Sequence, residues 1–251
     1  MGQSVKPETK TKVCDQHGEY EIAGLDLGDG QVRFIGGCPT CATEANKARD
    51  EMLANEERWQ RERKLRQLQA TAGIPARFAD RTLDNFRAET DGQRKAVAVC
   101  RRFIETEKPG VSLVFSGRPG TGKTHLACAI AGELVKQGRV AMFRTVRQAI
   151  RYIKQTYHRD CELTEGEAIQ ALTEADLLIL DEVGVQLGSE HELMLLFEII
   201  NERYQQMRST ILLTNLTGDE IVAYLGERML DRFREGGAVV AFDWPSHRGQ
   251  A

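Results

Sequence analysis

The sequence predicts an α/β fold built on a five-stranded parallel sheet with helices on both faces. Three observations carry that expectation. Five short apolar runs, at residues 111–116, 139–144, 177–181, 210–215 and 238–243, alternate with stretches of helical pattern, as strands joined by crossover helices do. A glycine-rich turn, Gly117-Arg118-Pro119-Gly120-Thr121-Gly122-Lys123-Thr124, separates the first run from a helix-like run at 125–136. The third run ends on paired carboxylates, Asp181 and Glu182, at the sheet edge where open α/β folds bind ligands.

Composition narrows the class. The 251 residues are 41% hydrophobic, enough for one packed core and a small appendage, and the formal net charge is only −3. Contact with nucleic acid would therefore rest on a local patch and not on the global field. No run approaches the roughly 18 apolar residues of a membrane span, so no membrane partner is expected. The polar N-terminus, with Lys6, Lys10 and Lys12, lacks the apolar core of a signal peptide. Six cysteines are too few for a disulfide scaffold in a chain of this size and their clustering suggests metal. A cytoplasmic protein is expected.

Three regions follow: a metal-binding module at 1–42, a helical connector and linker at 43–76, and the α/β domain at 77–251. In the first, Cys14-Asp15-Gln16-His17 and Cys38-Pro39-Thr40-Cys41 form two C-x-x-[CH] knuckles around a short Gly-rich, strand-like segment. Each knuckle offers two ligands from one tight turn, which suits a structural Zn²⁺ held by Cys14, His17, Cys38 and Cys41. So small a module cannot fold on apolar burial alone, and the metal would supply the missing stability. The stretch from Thr43 to about Ala70 has neither Gly nor Pro and is rich in Glu, Arg, Lys, Gln and Ala, a strongly helical composition. A solvated connecting helix and a partner-docking helix anchored by Trp59 both fit it. Gly73 and Pro75 end it, and an amphipathic helix is expected at 90–107.

The glycine-rich turn carries the first chemistry. Its G-x-x-x-x-G-K-[ST] spacing, between a strand and a helix, is that of a phosphate-binding loop. Backbone N–H groups converge on phosphate, Lys123 reaches the β- and γ-phosphates, and the Thr124 hydroxyl ligates Mg²⁺. Asp181 suits the same Mg²⁺ and Glu182 suits activation of an attacking water, which favours hydrolysis over binding alone. Asn215 closes the fourth run, either as a hydrogen-bonding partner of water or γ-phosphate or as a residue that opens a turn. Between Arg139 and Arg159 there is no acidic residue, and Arg147, Arg151, Lys154 and His158 recur at helical spacing near Tyr152 and Tyr157. Such a stripe suits single-stranded DNA, although a solvated basic face reads the same way.

A phosphate loop on the first strand, Asp-Glu on the third and Thr214-Asn215 on the fourth resemble an AAA+ ATPase. The surrounding text (Gly117 to Ala127, Ile179 to Gln186, Leu225 to Arg232) resembles the DnaC/DnaI replicative-helicase loaders over residues 75–248. The resemblance implies an AAA+ core without a full C-terminal lid, and ATP bound by Gly117, Pro119, Gly120, Thr121, Gly122, Lys123, Thr124 and His125. By the same match Asn215 would sense the γ-phosphate, Arg232 would be an arginine finger given to a neighbouring subunit, and Arg248 a second sensor in cis. Single-strand contacts would come from Arg147, Arg151, Lys154 and Tyr157 on an inserted helix, and from Ser189 in a second region. The implied activity is ATP-dependent placement of a hexameric replicative helicase on single-stranded DNA, with self-association into a ring or spiral and hydrolysis driving release. Two other readings stay open: a transposition helper ATPase of the IstB type, and a nucleotide-gated adaptor without significant turnover.

Overall fold

The computed structural model describes residues 8–26, 32–106, 108–158, 160–185 and 189–247. The chain divides into two compact units, residues 1–63 and 64–251. Among the described residues no helix is long and apolar enough to cross a membrane.

The first unit is built on short antiparallel pairs. Strand β1 (Thr9–Cys14) pairs with β2 (Gly18–Ala23), and β3 (Leu25–Asp26) with β4 (Val32–Arg33). Helix α1 (Pro39–Ala72) then begins. It starts earlier than the composition suggested, because Pro39 falls at the helix start, where proline's preset φ costs nothing and its missing N–H is not needed. From residue 42 to residue 64 every position is exposed, so this stretch of the helix is solvated. Leu65, Leu68 and Ala72, near the end of α1, pack into the core of the second unit.

The second unit contains α2 (Asp91–Glu105), β5 (Leu113–Gly117), α3 (Lys123–Lys136), β6 (Ala141–Thr145) and α4 (Val146–Gln155). After these come α5 (Glu165–Glu174), β7 (Leu177–Val183), α6 (Glu190–Gln205), β8 (Ser209–Thr214), α7 (Gly218–Leu225), α8 (Glu227–Gly236) and β9 (Ala238–Phe242). The five strands lie parallel in the order β6-β7-β8-β5-β9, as the alternating pattern predicted. Both faces are covered, so the central strands are apolar throughout. Leu113, Phe115, Leu177, Ile179, Ile211 and Leu213 face the core under α2 and α3, while Val114, Leu178, Leu180 and Leu212 face that under α4 to α8. This is the period-two alternation of a pleated strand.

Helix starts are set by local side chains. Thr90 with Gln93, Thr145 with Gln148, and Thr164 with Glu167 form reciprocal capping boxes at the heads of α2, α4 and α5, each satisfying N–H groups that the helix leaves unpaired. β5 sits between β8 and β9, so the loop after it opens at the sheet's carboxyl edge between the ends of those strands.

Candidate functional site

A cavity of about 450 Å³ opens at that edge. Its lining includes Pro119, Gly120, Gly122, Lys123, Thr124 and His125 of the loop and α3, together with Asp181, Glu182 and Asn215. Lys123 is nearly buried; its Nζ donates to Gly117 O at 2.5 Å, to Arg118 O at 2.9 Å and to Asn215 Oδ1 at 3.0 Å. The Thr124 hydroxyl donates to Asp181 Oδ2 at 3.2 Å. Residues at the ends of three separate strands thus meet around one ammonium and one hydroxyl. Gly117 has φ +144°, and a Cβ there would lie 2.2 Å from Phe242 O on β9, so only glycine lets the two strands end this closely.

Asp181 and Glu182 both line the cavity, although neighbours on a regular strand point to opposite faces. A register irregularity between Leu180 and Val183 in the β7–β8 pairing, with Glu182 at φ +61°, breaks the alternation. The Asp181 carboxylate accepts the Glu182 backbone N–H at 2.7 Å, which steadies this left-handed turn. Such a conformation costs on the order of 1 kcal/mol for a non-glycine residue. Burial pushes the Asp181 carboxyl above the usual carboxylate range, against the hydrogen bonds from Glu182 and Thr124 that favour its ionised form. A divalent cation held by Asp181 and Thr124 would reverse that shift. His125 is moved the other way by burial, toward the neutral ring, and its Nε2 lies 2.9 Å from Thr82 O.

The remaining expected residues lie elsewhere. Arg232 is on α8, its guanidinium 4.9 Å over the Tyr204 ring and hydrogen-bonded to Asn201; it is not among the residues lining its own chain's cavity. Arg248 falls outside the described residues. On α4, Arg147 and Arg151 are exposed, whereas Lys154 Nζ pairs with Glu192 Oε1 at 2.7 Å; beyond the helix end, Tyr157 donates its hydroxyl to Glu165 at 3.0 Å. Ser189 caps α6, accepting the Glu192 N–H at 3.3 Å. Sequence reading missed Arg77, Phe78 and Arg81, which form a further wall of the cavity, and His247, which completes it. The first three precede α2 in a stretch without periodicity, so no local signal marked them.

In the first unit, Cys14, His17, Cys38 and Cys41 bring their ligand atoms within 4.8 Å of one another. Cys14 Sγ is 3.5 Å from Cys41 Sγ and 3.8 Å from His17 Nδ1, and Cys41 Sγ is 3.3 Å from the same nitrogen. Tetrahedral zinc sets ligand–ligand edges of about 3.5–3.8 Å, and the Cys14–Cys41 and Cys14–His17 separations fall in that range. His17 Nε2 lies 3.2 Å from Glu44, the outer carboxylate that commonly orients a histidine ligand. Backbone N–H groups of Gln16 and His17 lower the Cys14 thiol to about 6, toward the thiolate that a metal requires.

Comparison with known proteins agrees with this geometry. Residues 42–250 match the family model of the IstB-like ATP binding proteins. The replicative helicase loader DnaC of Escherichia coli K12 is 33% identical over 242 residues, covering 90% of this chain and 97% of that protein. A crystal structure of the DnaC helicase loader superposes with a TM-score of 0.59 at 25% identity, covering 66% of this chain and 99% of that one. The replication initiator DnaA bound to AMPPCP and single-stranded DNA gives 0.57 at 26% identity, over 69% and 52% of the two chains. These neighbours place the second unit in the AAA+ architecture, and the chain belongs to the IstB/DnaC family of ATP-binding proteins.

Proposed function

We propose that the chain is an ATP-dependent loader that binds a hexameric replicative helicase in the cytoplasm, helps place it on single-stranded DNA, and hydrolyses ATP to release it. The observation that carries this reading is the near full-length match to a protein named as a replicative helicase loader. In this reading residues 1–42 form a zinc module, 43–76 a connector and 77–251 the ATPase domain. Lys123 and the loop N–H groups bind the triphosphate, Thr124 and Asp181 hold Mg²⁺, and Glu182 orients and deprotonates the attacking water. Bound Mg²⁺ supplies charge neutralisation between the phosphates. Asn215, hydrogen-bonded to Lys123, reports the γ-phosphate. Arg232 would complete the site of a neighbouring copy in a ring or spiral; its place outside its own chain's cavity supports that role. The test is co-purification with a replicative helicase with and without ATP. Capture of a transposase and no helicase would favour the IstB-type helper, which the description of the family model keeps in view.

The single-strand reading gains a specific consequence. Lys154 is paired with Glu192, so that cation is partly neutralised before any phosphate arrives. Glu192→Gln should raise affinity for oligo(dT) about threefold, the scale of a partly exposed ion pair, and steepen the salt dependence. Arg151→Glu should weaken binding, and unchanged affinity in both variants would leave α4 a solvated face. For the first unit, metal analysis of protein purified without chelator should find about one Zn²⁺ per chain, lost in Cys38→Ser; a metal-free wild-type chain would remove zinc from the reading.

A further inference from the structure

The phosphate loop is held from behind by the segment that follows β9. The indole N–H of Trp244 donates to Thr121 O at 2.8 Å, and the backbone N–H of His247 donates to Gly120 O at 3.0 Å. Each carbonyl belongs to a planar trans peptide whose N–H points the opposite way. Fixing Gly120 O therefore fixes the N–H of Thr121, and fixing Thr121 O fixes the N–H of Gly122. Those two N–H groups are donors of the kind a phosphate in such a loop accepts. Gly120 and Gly122 have φ +81° and +97°, and glycine passes between backbone regions at little steric cost. Nothing in the loop's covalent structure therefore stops a peptide flip that would turn a carbonyl oxygen toward the phosphates.

The holding segment is itself well anchored. Trp244 is 5% exposed, stacked on Phe242 with ring centroids 4.7 Å apart, and Phe242 packs on Phe115 of β5 at 5.1 Å. The His247 ring nitrogen Nε2 is 3.0 Å from Nε2 of Gln93, a residue 2% exposed. Gln93 Oε1 already accepts the N–H groups of Glu89 and Thr90, so its Nε2 is the donor and His247 accepts on a bare ring nitrogen. The head of α2 and the end of the sheet thus fix both donors before they reach the loop.

We propose that Trp244 and His247 are positioning residues for the nucleotide, a clasp that presets the loop's N–H groups for the triphosphate. The proposal rests on the ATP reading above. Its test uses the full chain, with affinity for Mg²⁺-AMPPCP measured by calorimetry alongside the nucleotide-free melting temperature. Trp244→Phe keeps an aromatic ring beside Phe242 and deletes the donor together with part of the buried indole; the melting temperature should fall as a large-to-small change requires, and affinity should fall about tenfold, more than an equally destabilised control. Arg203→Lys, at a buried residue that neither lines the cavity nor touches the clasp, is the stability control; here the melting temperature should fall while affinity stays within about twofold. Wild-type-like affinity in Trp244→Phe overturns the clasp, as does a loss of affinity in both variants that tracks melting temperature alone. Should Trp244→Phe fail to fold, Trp59→Phe leaves Trp244 as the sole tryptophan, since the chain has two. AMPPCP should then shift its emission, and a spectrum that stays fixed at saturating nucleotide overturns the proposal. Absence of AMPPCP binding to the wild type removes the ATP reading itself, and the clasp with it.

Discussion

Glu182→Gln should leave nucleotide binding intact and lower ATP turnover by on the order of 10²–10³-fold, the usual worth of a positioned general base. Glutamine keeps the size of the side chain and the left-handed turn at φ +61°, so the loss isolates the basic oxygen. The local strain argues the same way. The irregularity after Leu180 sacrifices strand regularity to bring two successive carboxylates into one cavity, and a strand cap would not need that. Asp181 is the half-buried member of the pair, with the Thr124 hydroxyl on one oxygen, while Glu182 is exposed. In the proposed reading the first holds the cation and the second meets water. Lys123→Ala gives the contrasting result, in which binding itself is lost with the cation that Gly117 O, Arg118 O and Asn215 hold in place. Measuring AMPPCP affinity and phosphate release on the same preparations separates the two. Turnover within threefold of wild type in Glu182→Gln would take the base role from that residue.

The loop, the Asp181–Glu182 pair and the five strands were legible in the sequence because their signals are local: a spacing, an apolar run, a run's last residues. The Cys14–His17–Cys38–Cys41 cluster was legible as two knuckles, each closed within four residues. What escaped notice depends on partners far away in the chain. No local signal marks Trp244, and only the placing of β9 beside β5 brings its N–H to Thr121. Phe86 gave no sign of packing on Gly122, where an added Cβ would come 2.5 Å from its ring. The basic stripe was visible on α4, but the acid that answers Lys154, Glu192, sits on α6, and Glu165 of α5 takes the hydroxyl of Tyr157. Charge at helical spacing therefore identifies a face and not its net potential.

Arg203→Met should strongly destabilise the second unit, by about 3–5 kcal/mol, the cost of orphaning several buried polar groups at once. No sequence rule marks a lone arginine in α6 as core, yet Arg203 is fully buried. Its guanidinium donates to Leu172 O at 2.8 Å, to Thr173 O and Ala175 O at 2.9 Å, to Ser209 O, and to Thr210 Oγ1 at 3.0 Å. Three of those carbonyls close α5, whose last turn has no basic residue of its own. Arg203 therefore supplies, from another helix, the positive charge that a helix C-terminus favours. The other two acceptors open β8, so one side chain ties α5, α6 and the sheet together. Burial lowers its pKa to about 9, which still leaves it charged at neutral pH. Lysine keeps the charge but lacks the planar fork that spans five acceptors, so Arg203→Lys should fall between methionine and wild type. Thermal melts should drop by roughly 10 °C in Arg203→Met, with AMPPCP affinity unchanged below the transition because Arg203 is not among the residues lining the nucleotide cavity. A melting temperature within about 2 °C of wild type would mean that the five acceptors find other partners, and that this arginine does not hold the α5–α6–β8 junction.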